Sequence, residues 1–223
     1  MSSPPLQKID RTRLRDQILE SIRNAIITGK FKAAEKLSEA ELSEQLGVSR
    51  TPVREAIRML EMQGFIEVHP KNGTFITSFD SRELQDGLHV RVALEELALK
   101  QAHERLSQHD WQEHCDQLDR LIEHMFAAAT DADHVSDIEL DMEFHALMID
   151  AARNKVLSRN WKLSGASNFI WSLEYRLYPH SPEEITEHAR RHQALLSVLR
   201  KRELEESLHA LRHHILRKIS DVG

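Results

Sequence analysis

A chain of 223 residues has room for one large domain or two ordinary ones. Its single cysteine, Cys115, excludes an intrachain disulfide framework, and no apolar run approaches the ~20 residues that span a bilayer. Met1–Asp10 lacks the apolar core of a secretory signal, so a cytoplasmic protein without a membrane partner is expected. High charge, few aromatics and only 7 glycines and 6 prolines favour long, charged-surfaced helices, hence a mainly α fold.

The net charge of −6 argues against non-specific nucleic-acid binding but hides an asymmetry. Residues 1–78 hold 12 Lys/Arg against 10 Asp/Glu, whereas residues 79–223 hold 18 against 26. All of the 14 histidines except His69 follow residue 80, which marks the second part as chemically distinct.

Residues 1–9 read as a flexible arm. Leu14, Ile18, Ile22, Ala25 and Ile26 then give a first amphipathic helix over about Arg11–Thr28, closed by Gly29. Lys30–Lys36 is expected to be a connector. Ser38 and Glu41 form a capping-box pattern for a short second helix that buries Ala40, Leu42 and Leu46. Gly47 supplies a turn, Ser49 or Thr51 can cap the next helix, and Pro52 is tolerated in its first turn. Val53, Ala56, Ile57 and Leu60 fall on one face of that helix, and Arg50 and Arg54 point together away from it. Gly64 ends it. Phe65–Val68 and Thr74–Thr77 read as strands joined by Pro70-Lys71-Asn72-Gly73, a turn of the Asn-Gly type. Three helices and a hairpin over residues 10–78 make a winged helix-turn-helix.

After Phe79 the strand signals stop. Residues 79–223 are expected to form an all-α antiparallel bundle of six helices: Ser81 to about Arg105, Ser107 to about Ala129, about Asp133–Ala152, much of Lys155–Leu177, about Ser181–Arg200, and about Glu203–Ser220. Ser181-Pro182-Glu183-Glu184 is a strong helix start, with a capping Ser, Pro at the first position and Glu at the third.

The arginine-bearing helix is shaped to read double-stranded DNA. Arginine fits guanine O6 and N7 bidentately, so Arg50 and Arg54 are candidate base readers. Ser49 and Thr51 suit phosphates. Lys71, Asn72 and Gly73 at the wing tip suit backbone or minor groove, with Gly73 permitting close approach. An isolated Arg-x-x-x-Arg is more often a solvated helix face; the turn, cap and wing around it reverse that reading. Gly47-Val48-Ser49-Arg50-Thr51-Pro52-Val53-Arg54-Glu55-Ala56 and the hairpin resemble the DNA-binding domain of the GntR family of bacterial transcription regulators. The resemblance implies that Arg50 and Arg54 read bases, with Ser49, Thr51 and Gly73 near the backbone or minor groove. One departure is visible: Ala33-Ala34 stands where that family usually has Pro-Gly.

In the second part, Asp141 and His145 are four apart on one helix face. His192 lies on the apolar side of its helix, about ten residues before a turn near Lys201-Arg202, and His214 about twelve after it, so the two stand at similar heights. One carboxylate and three imidazoles suit a divalent metal ion, Zn2+ first, with Ni2+ or another transition metal as alternatives. His188, four before His192, and His213, beside His214, compete for the same roles. The spacings Asp141-x-x-x-His145 and His192 to His214, with Arg91-x-x-x-Glu95, also resemble the FCD ligand-binding domain of FadR-like GntR regulators. That resemblance implies a metal beneath a pocket for a small organic acid, and a homodimer. Arg91, or Arg176 with Asn168 on its helix, is a candidate anchor for the acid's carboxylate. Glu143 lies on another face from Asp141 and His145, so no general base accompanies the metal set, and an enzyme is the weaker reading. The expected function is an effector-controlled transcription regulator that binds a palindromic operator.

Overall fold

A computed structural model describes residues 11–27, 29–78, 80–164 and 181–217. The proposed arm at 1–9, together with Asn168 and Arg176, lies outside the described residues. The chain divides into two compact units, Met1–Ser78 and Phe79–Gly223.

The first unit runs α1 (Arg11–Ile27), β1 (Lys36–Leu37), α2 (Glu39–Leu46), α3 (Arg50–Met62), β2 (Ile66–His69) and β3 (Gly73–Ile76). Helix α3 packs on α1 and α2 through Val53, Ala56, Ile57 and Leu60, all buried, against Ile18, Ile22 and Ile26 of α1 and Leu42 of α2. Leu46 is half-buried, whereas Ala40 is exposed, so α2 buries a narrower face than its sequence suggests. Ser38 caps α2 by accepting from the Glu41 N–H, and Gly47 ends it in the left-handed conformation at φ 64°.

The sheet differs from a simple hairpin. It has three strands in the order β1-β3-β2, all antiparallel. The expected connector therefore contributes Lys36 and Leu37 as a strand, paired with Phe75 and Thr74. The wing turn is also different. The Asn72 N–H donates to the His69 carbonyl, and Lys71, not Asn72, has positive φ, at 72°. Pro70 at the second and a left-handed residue at the third position is the pattern of a type II turn.

Ala34 explains how the departure from Pro-Gly is tolerated. It adopts φ 62°, a conformation normally left to glycine, and its N–H donates to the Ile76 carbonyl.

The second unit comprises α4 (Ser81–Arg105), α5 (Gln108–Thr130), α6 (His134–Ala151), α7 (Lys155–Leu163), α8 (Pro182–Leu199) and α9 (Leu204–Leu216). Helix α5 packs on α6 and α8, and α4 packs on α6, α7 and α9. Leu88, Leu118, Ile122, Met125, Phe144, Leu196 and Leu211 form the middle of the core. Asp80 rather than Ser81 caps α4, because its carboxylate and Glu83 complete a reciprocal capping box. Ser107 and Ser181 cap α5 and α8, the latter with a capping box closed by Glu184. The α8–α9 turn is pinned by Arg202, which donates to the carbonyls of His103 and Leu106 and lies over the Trp111 ring.

Replacing Ala34 with glycine removes the left-handed penalty, so Ala34→Gly should raise stability by about 1 kcal/mol. The check is the urea midpoint of the first unfolding transition; a lower midpoint would show that Ala34 is unstrained.

Candidate nucleic-acid interface and candidate metal centre

The buried face of α3 decides which of its side chains reach solvent. Arg50, Thr51 and Arg54 are exposed. Ser49 occupies the cap position with extended backbone, yet its hydroxyl makes no cap hydrogen bond. The first-turn N–H groups of α3 thus lack a side-chain cap from Ser49. Arg54 is not solitary. Its Nε donates to both oxygens of Glu39, at 3.2 and 3.1 Å, and its Nη2 donates to Oε2 at 2.9 Å. This ion pair raises the Arg54 pKa further, chiefly through the hydrogen bond to Glu39.

On the wing, Lys71 and Asn72 are exposed at the tip. Gly73 has φ 118°, and a Cβ there would come within 2.6 Å of the Lys36 Cε. The space above Gly73 is taken by the Lys36 stem rather than left open. The Lys36 ammonium stands 5.8 Å from the Phe75 ring centre. Sequence reasoning missed both Glu39 and Lys36. Glu39 carries no helical-spacing signal toward Arg54, and Lys36 reaches the wing only through the unforeseen strand.

In the bundle, His145, His192 and His214 offer nitrogens within 4.8 Å of one another, as do the donor atoms of Asp141, His188 and His192. The His192 and His214 ring centres are 4.5 Å apart with the rings edge to face, so the α8–α9 hairpin does bring them together. Asp141, His145 and His192 are buried and His214 is half-buried.

Hydrogen bonds behind these rings fix where their lone pairs point. His192 Nδ1 lies 3.0 Å from the His188 carbonyl, which can only accept, so the proton sits on Nδ1 and Nε2 is bare. His145 Nδ1 lies 2.7 Å from Glu95 Oε2, which assigns its proton the same way. Burial lowers His192 to about 4 and holds His214 well below its usual value, so both rings are neutral at pH 7. Among the described residues, the Nε2 atoms of His145 and His192 and Oδ2 of Asp141 are buried without a hydrogen-bond partner. The bare His192 Nε2 stands 3.2 Å from Asp141 Oδ1. Lone pairs facing one another in a dry interior are destabilising unless a cation lies among them. Ligands about 2.1 Å from a tetrahedral ion stand about 3.4 Å apart, so the cluster fits a divalent metal.

The competing histidines separate clearly. His213 is exposed. His188 is buried, with Nδ1 2.9 Å from both oxygens of Asp137 and Nε2 3.0 Å from Asp141 Oδ1. Burial opposes its charge, but Asp137 and Asp141 outweigh burial and raise it to about 9. Both its nitrogens donate, so His188 holds Asp141 in place and offers the cluster no lone pair. Asp141 in turn stays well below the usual carboxylate range, the cost of burial being outweighed by His188.

Arg91 belongs to the same cluster. Its Nε donates to Glu95 Oε1 at 2.7 Å, and its Nη2, buried without a hydrogen-bond partner among the described residues, lies 4.0 Å from Asp141 Oδ2. Glu95, expected only as part of Arg-x-x-x-Glu, is the carboxylate that orients His145. Asp137 escaped the sequence reading, although a signal existed: Asp137–Asp141 and His188–His192 repeat the same four-residue spacing on two helices.

Comparison with known proteins places both units. Residues 14–76 match the model for bacterial regulatory proteins of the gntR family, and residues 86–217 match the FCD domain. The chain belongs to the GntR family. The HTH-type transcriptional repressor RspR of Escherichia coli is 27% identical over 93% of this chain and 88% of its own length. YdhC of Bacillus subtilis, an HTH-type transcriptional regulator, is 30% identical over 63% of this chain; the match spans 62% of that relative. McbR/YncC of E. coli shares the fold, with a TM-score of 0.73, 24% identity and coverage of 94% of this chain and 96% of that one. The GntR chain described here is thus a DNA-binding transcription regulator and not an enzyme. Among its described residues no helix is long and apolar enough to cross a membrane.

Removing the Asp137 carboxylate takes the acceptor at Nδ1 away from buried His188. Asp137→Ala should cost about 2–3 kcal/mol of stability, read as the unfolding free energy in urea at neutral pH. A loss below about 0.5 kcal/mol, the range of an ordinary surface change, would show that the pair is solvated.

Proposed function

We propose that this GntR regulator binds a palindromic operator as a homodimer and that a small organic acid, bound beside a metal ion in the bundle, controls that binding. The observation that carries the reading is the buried set of inward lone pairs on Asp141, His145 and His192 in the same chain as an outward-facing Arg50/Arg54 helix. On the DNA side, Arg50 and Arg54 read base edges. Ser49, Thr51 and the α3 N-terminus meet phosphates, and Lys71, Asn72 and Gly73 bring the wing to the backbone or minor groove.

Asp141, His145, His192 and His214 would hold the ion, Zn2+ or another transition metal such as Ni2+, and the ion would supply Lewis acidity toward a carboxylate oxygen. Glu95 and the His188 carbonyl keep two of the imidazoles in the ligating tautomer, and His188 holds Asp141. The Arg91 Nη2, which has no hydrogen-bond partner among the described residues and lies 4.0 Å from Asp141, supplies a donor for the effector's carboxylate. The effector must favour one arrangement of the dimer over the other to alter operator affinity, and DNA must alter effector affinity by the same factor.

Two measurements test the two halves. Arg54→Ala should weaken operator binding at least about tenfold and relax its sequence preference while the far-UV spectrum and unfolding midpoint persist; unchanged operator affinity at matched salt would remove Arg54 from the interface. Glu95→Gln should weaken metal binding about 10–100-fold in a competition with a zinc-sensitive dye, because it loosens the His145 ring. Equal affinity in the variant would mean that His145 is not a ligand.

A further inference from the structure

Arginine has two edges that can make paired hydrogen bonds. The side edge presents Nε–H and one N–H of Nη2; the end presents Nη1–H and the other N–H of Nη2. In this protein Glu39 takes the whole side edge of Arg54, with Nε at 3.2 and 3.1 Å and Nη2 at 2.9 Å. The end edge makes no hydrogen bond among the described residues and is the one left to meet a ligand. Glu39 is itself held firmly. It opens α2 directly after the Ser38 cap, and its carbonyl accepts from the Ser43 hydroxyl at 2.6 Å. Ser38 in turn follows β1, which is paired to the wing.

We propose that Glu39 is a specificity-determining positioning residue: it grips the side edge of Arg54 so that the end edge is presented, ready-made, to O6 and N7 of one guanine in each half-site. The inference rests on the reading of Arg54 as a base reader. Its physical basis is preorganisation. A free arginine on a helix surface must give up many rotamers to make a bidentate contact, whereas one clamped by a carboxylate has already done so.

The inference carries an unusual sign. Glu39 is a half-buried negative charge that would stand next to polyanionic DNA, so simple electrostatics makes its removal strengthen binding to every duplex. Preorganisation makes its removal weaken binding to the preferred duplex alone. The test uses full-length protein and a duplex selected by that protein from a random library. Affinities for this duplex, and for versions with each half-site guanine changed to adenine, are measured at one salt concentration for wild type, Glu39→Gln, Arg54→Ala and the double variant. Thermal unfolding of each variant confirms that the fold is kept, and Glu39→Asp, which retains the charge on a shorter stem, serves as the second substitution.

Arg54→Ala should flatten the preference at one guanine. Glu39→Gln should lower affinity for the preferred duplex about five- to tenfold, the scale of one side chain's lost order, and reduce the preference at that same guanine. In the Arg54→Ala background it should cost nothing more. An affinity loss in Glu39→Gln that is equal on all duplexes, or tighter binding to all of them with the preference intact, overturns the positioning role while leaving Arg54 as a reader. A preference that survives Arg54→Ala at every guanine overturns the base-reading assignment and this inference with it.

Discussion

Two carboxylates, Glu95 and Asp141, sit in the bundle interior with almost no exposure, and the surrounding architecture answers that fact. A buried carboxylate keeps its charge only if donors replace the lost water, at an effective cost of several kcal/mol per ion otherwise. Glu95 on α4 is met by Arg91 from its own helix, His145 from α6 and the Trp161 indole from α7. Asp141 on α6 is met by His188 from α8. The three bonds between helices tie α4 to α6, α4 to α7 and α6 to α8, so the polar centre fixes how four helices stand relative to one another. The apolar core around Phe144 fills the space between them, and the Phe144 ring itself edges against His145 and His192.

The arrangement also separates two kinds of histidine that look alike in a list. His188 has carboxylates on both nitrogens and is held charged. His145 and His192 have an acceptor behind one nitrogen only and are left with a lone pair in front. The difference arises from what stands at Nδ1 and Nε2: carboxylates of α6 for His188, Glu95 of α4 for His145, and for His192 the carbonyl one turn back on its own helix. The polar centre thus contains a structural half, Asp137–His188–Asp141, and a half with lone pairs to offer, Asp141–His145–His192–His214.

How much of this could be read from the chain depends on the range of the interaction. Helix starts were legible where Ser or Asp stands three residues before Glu, because a cap is a local hydrogen bond, and even the mistaken choice of Ser81 lay one residue from Asp80. The inward spacing of Asp141 and His145 and the matched heights of His192 and His214 were legible because helical geometry is regular. Strand β1 was not, since two residues are too few to show alternation. The wing turn was misread because Asn-Gly is a strong local signal, yet Pro70 and the pairing of His69 with Gly73 set the geometry instead. Glu39 opposite Arg54 and Glu95 opposite His145 are 15 and 50 residues apart in the chain, and only tertiary packing brings such pairs together.

Strand β1 is short, but it lies in a telling place. Within four residues the backbone passes from Lys36, whose stem covers Gly73 of the wing, through Leu37 and the Ser38 cap to Glu39, which holds Arg54. The wing tip and the recognition helix are therefore joined by a rigid span of main chain as well as by the loop between them. That span acts as a caliper. If Arg54 meets base edges and Lys71 the backbone, as proposed, the distance between those contacts is set in the protein before DNA arrives. A duplex whose groove is too narrow or too wide for that gap would have to deform to be bound, and groove width would become part of what the protein measures.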